Sequence, residues 1–197
     1  MEKLIYEVGD YVRGLFKCHP RPNLFYHNLA HTESVVNHAI EIGFHYRLPE
    51  QDQTELIVAA WFHDTGYLIS EETNNHEERG IGLMRKFMAS RNIAEKVLEN
   101  IAACILATKI PSAPVSLIEK ILCDADCYHL GTSEFIKKDA LVWRELEAKL
   151  HRNIKDQLTK TIHFLTNHEY FTSYCRQILT EGKCSNIELL EKLVKQV

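Results

Sequence analysis

Along most of this chain, apolar residues recur at the three- and four-residue spacing of a helix face. Leu4, Ile5, Val8, Tyr11, Val12, Leu15 and Phe16 form the first stripe and predict a helix from Glu2 to about Lys17. The prolines of Cys18-His-Pro-Arg-Pro-Asn23 forbid its continuation. Val35, Val36, Ala39, Ile42 and Gly43 mark the inner face of a helix from about Leu29 to Tyr46, closed before Pro49. Asp52 or Thr54 is the expected cap of the next helix, which runs into His63-Asp64. Thr65 to Asn75 reads as a polar loop, and helices follow from His76 to about Ser90 and from Ile93 to about Ala107. After the break at Ile110-Pro-Ser-Ala-Pro114, a helix spans Val115 to Tyr128 and is closed by Gly131. Ser133 is the expected cap of a helix reaching about His151. Three more are expected: Lys155 to Thr166, Glu169 to Thr180 with Gly182 as its stop, and a terminal one from Ser185 bearing Ile187, Leu190, Val194 and Val197. No alternating strand pattern, internal repeat or low-complexity linker interrupts the series. The expectation is an all-α fold, a single helical bundle of about nine or ten helices over residues 1–197 with no domain boundary.

Composition narrows the function classes. No apolar run approaches the roughly 20 residues that span a bilayer, and the N-terminus lacks the basic start, apolar stretch and cleavage site of a secretory signal. An intracellular, cytoplasmic protein without a membrane partner is expected. Net charge is −4 with both signs interspersed, so extended nucleic acid, which calls for a basic stripe, is not the expected ligand. A small anionic substrate stays compatible, because a bound cation can supply local positive charge. The six cysteines are scattered without a CxxC pair, which reads as reduced, mostly buried thiols. Cys123 and Cys127 flank an acidic pair, where a minor redox or ligand role is the alternative.

The chemistry concentrates at two places. His27 and His31 stand four residues apart, on one face of a helix. The apolar run Leu56, Ile57, Ala59, Ala60, Trp61, Phe62 ends abruptly in His63-Asp64, and Asp124 interrupts another apolar helix sixty residues on. A polar group on such a helix costs free energy unless something pairs with it. A divalent metal shared by His31, His63, Asp64 and Asp124 would satisfy all four groups at once. Among 11 histidines any single one is ordinarily a hydrogen-bonded or surface residue; the conjunction carries the inference.

Tyr26-His-Asn-x-x-His31, Phe62-His-Asp64 and Leu122-x-Asp124-Ala-Asp126 resemble the HD superfamily of metal-dependent phosphohydrolases, specifically its bacterial predicted HD-type members. Softer similarities continue through Ile105-Leu-Ala-Thr-Lys109, Leu130-Gly131, Trp143-Arg-x-x-Glu147 and Phe164 to Arg176, so the likeness covers about residues 20–180. The first segment is also similar to a motif of cyclic-nucleotide phosphodiesterases. The resemblance implies ligands His31, His63, Asp64 and Asp124 for Mn²⁺, Mg²⁺, Fe²⁺, Co²⁺, Ni²⁺ or Zn²⁺, with Asp64 bridging a second ion if one binds. It implies His27 as the acid that protonates the leaving group, and Lys109, with Arg144 a weaker candidate, as a neutraliser of phosphate oxygens. His76 falls where two-metal members carry an additional ligand, but the further histidine they place between it and position 129 is missing. One tight metal is therefore expected, the second site being incomplete, with His76 and Glu77 lining the pocket. The implied activity is hydrolysis of a small phosphate ester, foremost a nucleotide, by metal-activated water; a homodimer is compatible. The rivals are a nucleotide- or metal-binding sensor acting through a protein partner, and a helical scaffold with a zinc staple.

Overall fold

The computed structural model describes residues 2–70, 72 and 74–196. Among them are nine α-helices, two short 3-10 turns and no strand, so the all-α expectation holds. The helices are α1 (Glu2–Cys18), α2 (Leu29–His45), α3 (Glu50–Phe62), α4 (His76–Met88), α5 (Glu95–Ala107), α6 (Leu117–Asp126), α7 (Phe135–Leu150), α8 (Gln157–Asn167) and α9 (Ser173–Val194). The 3-10 turns are Thr65–Leu68 and Tyr128–Gly131.

α3 is the axis of the bundle. Every residue from Thr54 to Phe62 is buried, and α1, α2, α5 and α6 pack around it. From Leu56 to Phe62 its sequence is apolar on all sides because no side meets water there. Burying each of its large side chains contributes about 1.5–3 kcal/mol. The main core extends from Val8 and Val12 through α3 to Ile121, Leu122 and Cys175, and a smaller core gathers Leu130, Phe135, Leu165 and Leu190.

Several element ends differ from expectation. α3 starts at Glu50 behind Pro49, with Thr54 inside the helix, its hydroxyl donating to the Glu50 carbonyl. α6 starts later than Val115, because Ser116 accepts from the Glu119 amide while the Glu119 carboxylate accepts from the Ser116 hydroxyl and the Val115 amide. Gly131 closes the second 3-10 turn rather than α6, and Glu134 rather than Ser133 precedes α7. The expected loop after Asp64 begins as a 3-10 turn; positions 71 and 73 of that loop, and Val197 of the terminal stripe, lie outside the described residues. The two expected C-terminal helices are one, α9, which runs straight through Gly182. A Cβ at Gly182 would stand 2.0 Å from the Gly131 carbonyl oxygen. The glycine is there for close approach of α9 to the second 3-10 turn, not for a stop.

Candidate metal centre

His31 lies in the first turn of α2, where the Asn28 cap accepts its backbone amide at 3.1 Å. His63 and Asp64 follow the last turn of α3. The His63 Nδ1 donates to the Ala60 carbonyl at 2.8 Å. A carbonyl only accepts, so Nδ1 carries a hydrogen, and in the neutral ring it is Nε2 that holds the lone pair. That Nε2 stands 3.1 Å from Asp64 Oδ2, and His31 Nε2 stands 3.3 Å from the same oxygen. Donors bound at about 2.1 Å to one ion and at right angles to each other are about 3 Å apart. The spacing therefore suits a shared cation.

Burial gives an independent check. His31 Nε2, His63 Nε2 and Asp64 Oδ2 are all buried without a hydrogen-bond partner among the described residues. Donor atoms of the three residues fall within 4.8 Å of one another. Three orphaned polar atoms converging on one point are costly unless a fourth body satisfies them. The electrostatics agree. Burial alone would lower the His63 pKa, yet the adjacent Asp64 charge outweighs it and raises it to about 9. Burial would likewise raise Asp64, but His63 and His27 hold it well below the carboxylate range. The pocket stabilises positive charge at its centre.

The expected fourth ligand is corrected. Asp124 turns away: its carboxylate accepts from the Phe171 and Thr172 amides at 2.8 Å each and from the Thr172 hydroxyl at 2.6 Å. Asp126 faces the cluster instead, with Oδ1 3.1 Å from His31 Nε2 and 3.7 Å from His63 Nε2. Two residues apart on a helix means about 200° of rotation, so the two carboxylates cannot face the same point. Asp124 instead anchors the start of α9, where Thr172 also caps the helix.

Beside the three donors, and reached through Asp64, is a cavity of about 450 Å³ that His27, His76, Glu77, Lys109 and Asp126 also line. His27 is oriented by a residue that sequence reasoning missed. Glu145 Oε1 accepts from His27 Nδ1 at 2.6 Å, and its Oε2 accepts from the Tyr26 and His27 amides. Lys149 also donates to Oε1 at 2.6 Å. Glu145 is separated from His27 by 118 positions, and nothing in the local sequence of α7 announces the pairing. His76 Nε2 lies 3.6 Å from Asp64 Oδ1, its ring stacks on Tyr67 at 4.0 Å, and its Nδ1 is 3.5 Å from the buried carboxylate of Glu77. Gly66 permits this: a Cβ there would stand 1.9 Å from the His76 carbonyl oxygen. Lys109 lines the cavity half-exposed, its Nζ 3.0 Å from Glu78 and 3.4 Å from Asn75. Arg144 is the second correction: its guanidinium lies over the Phe25 ring at 3.9 Å and is not among the residues lining the cavity.

A helical bundle that converges two imidazole nitrogens and a carboxylate oxygen on one buried point, open to a polar cavity, defines an all-α domain with a site able to hold a divalent metal. The family model described as HD domain matches residues 28–131, and the chain belongs to that family. The matched stretch contains His31, His63, Asp64 and Asp126; His27 and Glu145 lie outside it. Comparison with curated proteins returned no match. Among solved structures, the chain is similar to a crystal structure titled a predicted HD superfamily hydrolase from an uncultured Thermotogales bacterium. Identity is 19%, the TM-score 0.64, and the alignment covers 97% of this chain and 91% of that one. At that identity the likeness is one of fold.

Proposed function

We propose that this protein hydrolyses a phosphate ester of a small molecule, foremost a nucleotide, with a divalent metal held by His31, His63, Asp64 and Asp126. The observation that carries this is the convergence of three buried, unpartnered donor atoms beside a polar cavity that also contains His27. When bound, the cation supplies an acidified water and a counter-charge for phosphate oxygens. The chain's own groups divide the remaining work. Glu145 fixes the His27 ring through Nδ1, which leaves Nε2 to hand a proton to the departing oxygen. Lys109, in reach of the cavity, steers the anionic group. His76 and Glu77 line the same cavity and would hold a weaker second ion if one binds.

With Mn²⁺, Mg²⁺, Co²⁺ or Ni²⁺ added, the purified protein should release phosphate or a nucleoside monophosphate from a panel of nucleotides. His63→Ala and Asp64→Ala should abolish turnover while leaving the helical circular dichroism intact. His27→Ala should lower kcat by about 10²–10⁴-fold, the ordinary contribution of a placed general acid. Activity that survives both ligand substitutions would place the chemistry elsewhere. Tight nucleotide binding with no product over hours would favour a sensor in its stead.

A further inference from the structure

A second cavity, of about 500 Å³, abuts the first. Ile110 belongs to the walls of both, and the chain crosses between them there: Thr108 and Lys109 line the metal cavity, Pro111 and Ser112 the other. α6 backs both as well. Its Asp126 lines the first cavity, while Cys123 and Cys127, one turn apart, line the second.

The chemistry changes across Ile110. The first cavity is a place of carboxylates, imidazoles and an ammonium. The second is walled by Phe164, Phe171, Pro111 and two thiols. Cys123 is a buried free thiol and Cys127 a half-buried one, and a free thiol in such a place behaves as a small apolar group. Its polar members are Ser112, His163, Asn167, His168 and Glu169. His168 is kept neutral, at about 4, by burial and by the Lys183 charge. Its Nδ1 is buried with no hydrogen-bond partner among the described residues.

Two positions of the wall are held by backbone hydrogen bonds. The Phe171 amide is tied to Asp124, and the Lys183 ammonium donates to the His168 carbonyl. A preformed, mostly apolar cleft with a few convergent polar groups and a volume within about 300–1,000 Å³ is the usual form of a small-molecule site. A nucleotide joins an anionic group to a flat heterocycle through a sugar. Two abutting cavities of opposite character are complementary to that shape.

We infer that the second cavity receives the nucleobase of the substrate, with Phe164 and Phe171 against the ring and Ser112, Asn167 and His168 at its polar edge. The assignment rests on the metal cavity being the phosphate-ester site. It makes these residues determinants of specificity rather than of the bond-breaking step.

The test uses two variants at exposed positions of α8. Asn167→Trp fills the cavity, and Phe164→Ala removes one wall. Binding of adenosine, guanosine, cytidine and uridine is followed by calorimetry, which needs neither phosphate nor metal. Phosphate release with Mn²⁺ is then compared for the four nucleoside 5′-monophosphates and for ribose 5-phosphate. At least one nucleoside should bind the unaltered protein, and both variants should weaken it about tenfold or more, as loss or exclusion of a stacked base implies. KM for the matching nucleotide should rise by a similar factor at nearly constant kcat, with ribose 5-phosphate unaffected. If no nucleoside binds, or if the variants leave nucleoside binding and nucleotide KM unchanged, or affect nucleotide and ribose phosphate alike, the nucleobase assignment is overturned while phosphate hydrolysis stands. If no phosphate ester is turned over but a nucleoside binds and Asn167→Trp blocks it, the hydrolytic reading fails and the second cavity stands as a nucleoside-binding site.

Discussion

Glu145 is 1% exposed and accepts four hydrogen bonds: two backbone amides on one oxygen, His27 and Lys149 on the other. Burial would raise its pKa; His27 and Lys149 overcome that and hold it at about 2, below its ordinary 4.5. A carboxylate whose folded value is depressed contributes stability that is present above its unfolded value and lost as pH falls through the folded one. Glu145→Gln should therefore cost on the order of 3 kcal/mol at pH 7. In urea titrations at a series of pH values, the gap from the unaltered protein should shrink below pH 4.5 and close near pH 2. A gap independent of pH would show that the charge contributes nothing. The two aspartates of α6 give a sharper contrast. Asp126→Ala should weaken metal binding measured by calorimetry, whereas Asp124→Asn should leave the stoichiometry alone and lower the melting temperature by loosening the start of α9. The sequence carried the His-Asp pair plainly, because polarity at the end of an apolar helix has few other uses. It could not choose between Asp124 and Asp126. Both interrupt the same apolar helix, and what separates them is which face meets the amides of Phe171 and Thr172, some 47 positions away.

Helix identities were legible wherever a stripe met water on its other side, as in α1 and α5. α3 was legible by length and by its charged end, since a helix buried all round has no stripe to read. Boundaries were less so, because several are set by partners distant in sequence. Gly182 is the instructive case: a local rule reads glycine as a terminator, whereas here it lets two backbones touch. Gly182→Ala tests which physics governs. Alanine gains about 1 kcal/mol of helix propensity, but its Cβ would meet the Gly131 carbonyl oxygen at 2.0 Å. That neighbour is backbone and cannot rotate aside, so crowding of about 1–3 kcal/mol should win. The expected outcome is a lower urea midpoint with unchanged slope; a rise would mean that α9 and the 3-10 turn do not need the contact.

At the scale of the molecule, the elements beyond residue 131 are not an appendage to the matched family stretch. α7 sends Glu145 to His27, and the start of α9 takes up Asp124, so the C-terminal helices hold the N-terminal edge and the α6 wall of the site. Metal binding should accordingly stabilise the bundle as one cooperative unit. A ligand at 100 times its Kd adds about 2.7 kcal/mol, which for a domain of this size raises the melting temperature by about 5–11 °C. The increment must depend on pH in a fixed direction. Without metal, His63 binds its proton up to about 9 against an ordinary 6.5. That proton's contribution to stability is complete below pH 6.5 and is lost as pH rises through 9. Metal must expel it, because only the neutral ring ligates. The rise from pH 7 to 8 therefore strengthens metal binding by about tenfold through His63 alone, and the rise from 8 to 9 by about fivefold, while the metal-free protein loses its own protonic support. Melting curves with saturating Mn²⁺ and with chelator should diverge as pH rises from 6.5 to 9, and the metal titration should release protons into a weak buffer. Curves that coincide, or a gap that narrows with rising pH, would mean that no cation takes the place of the proton between His31, His63 and Asp64.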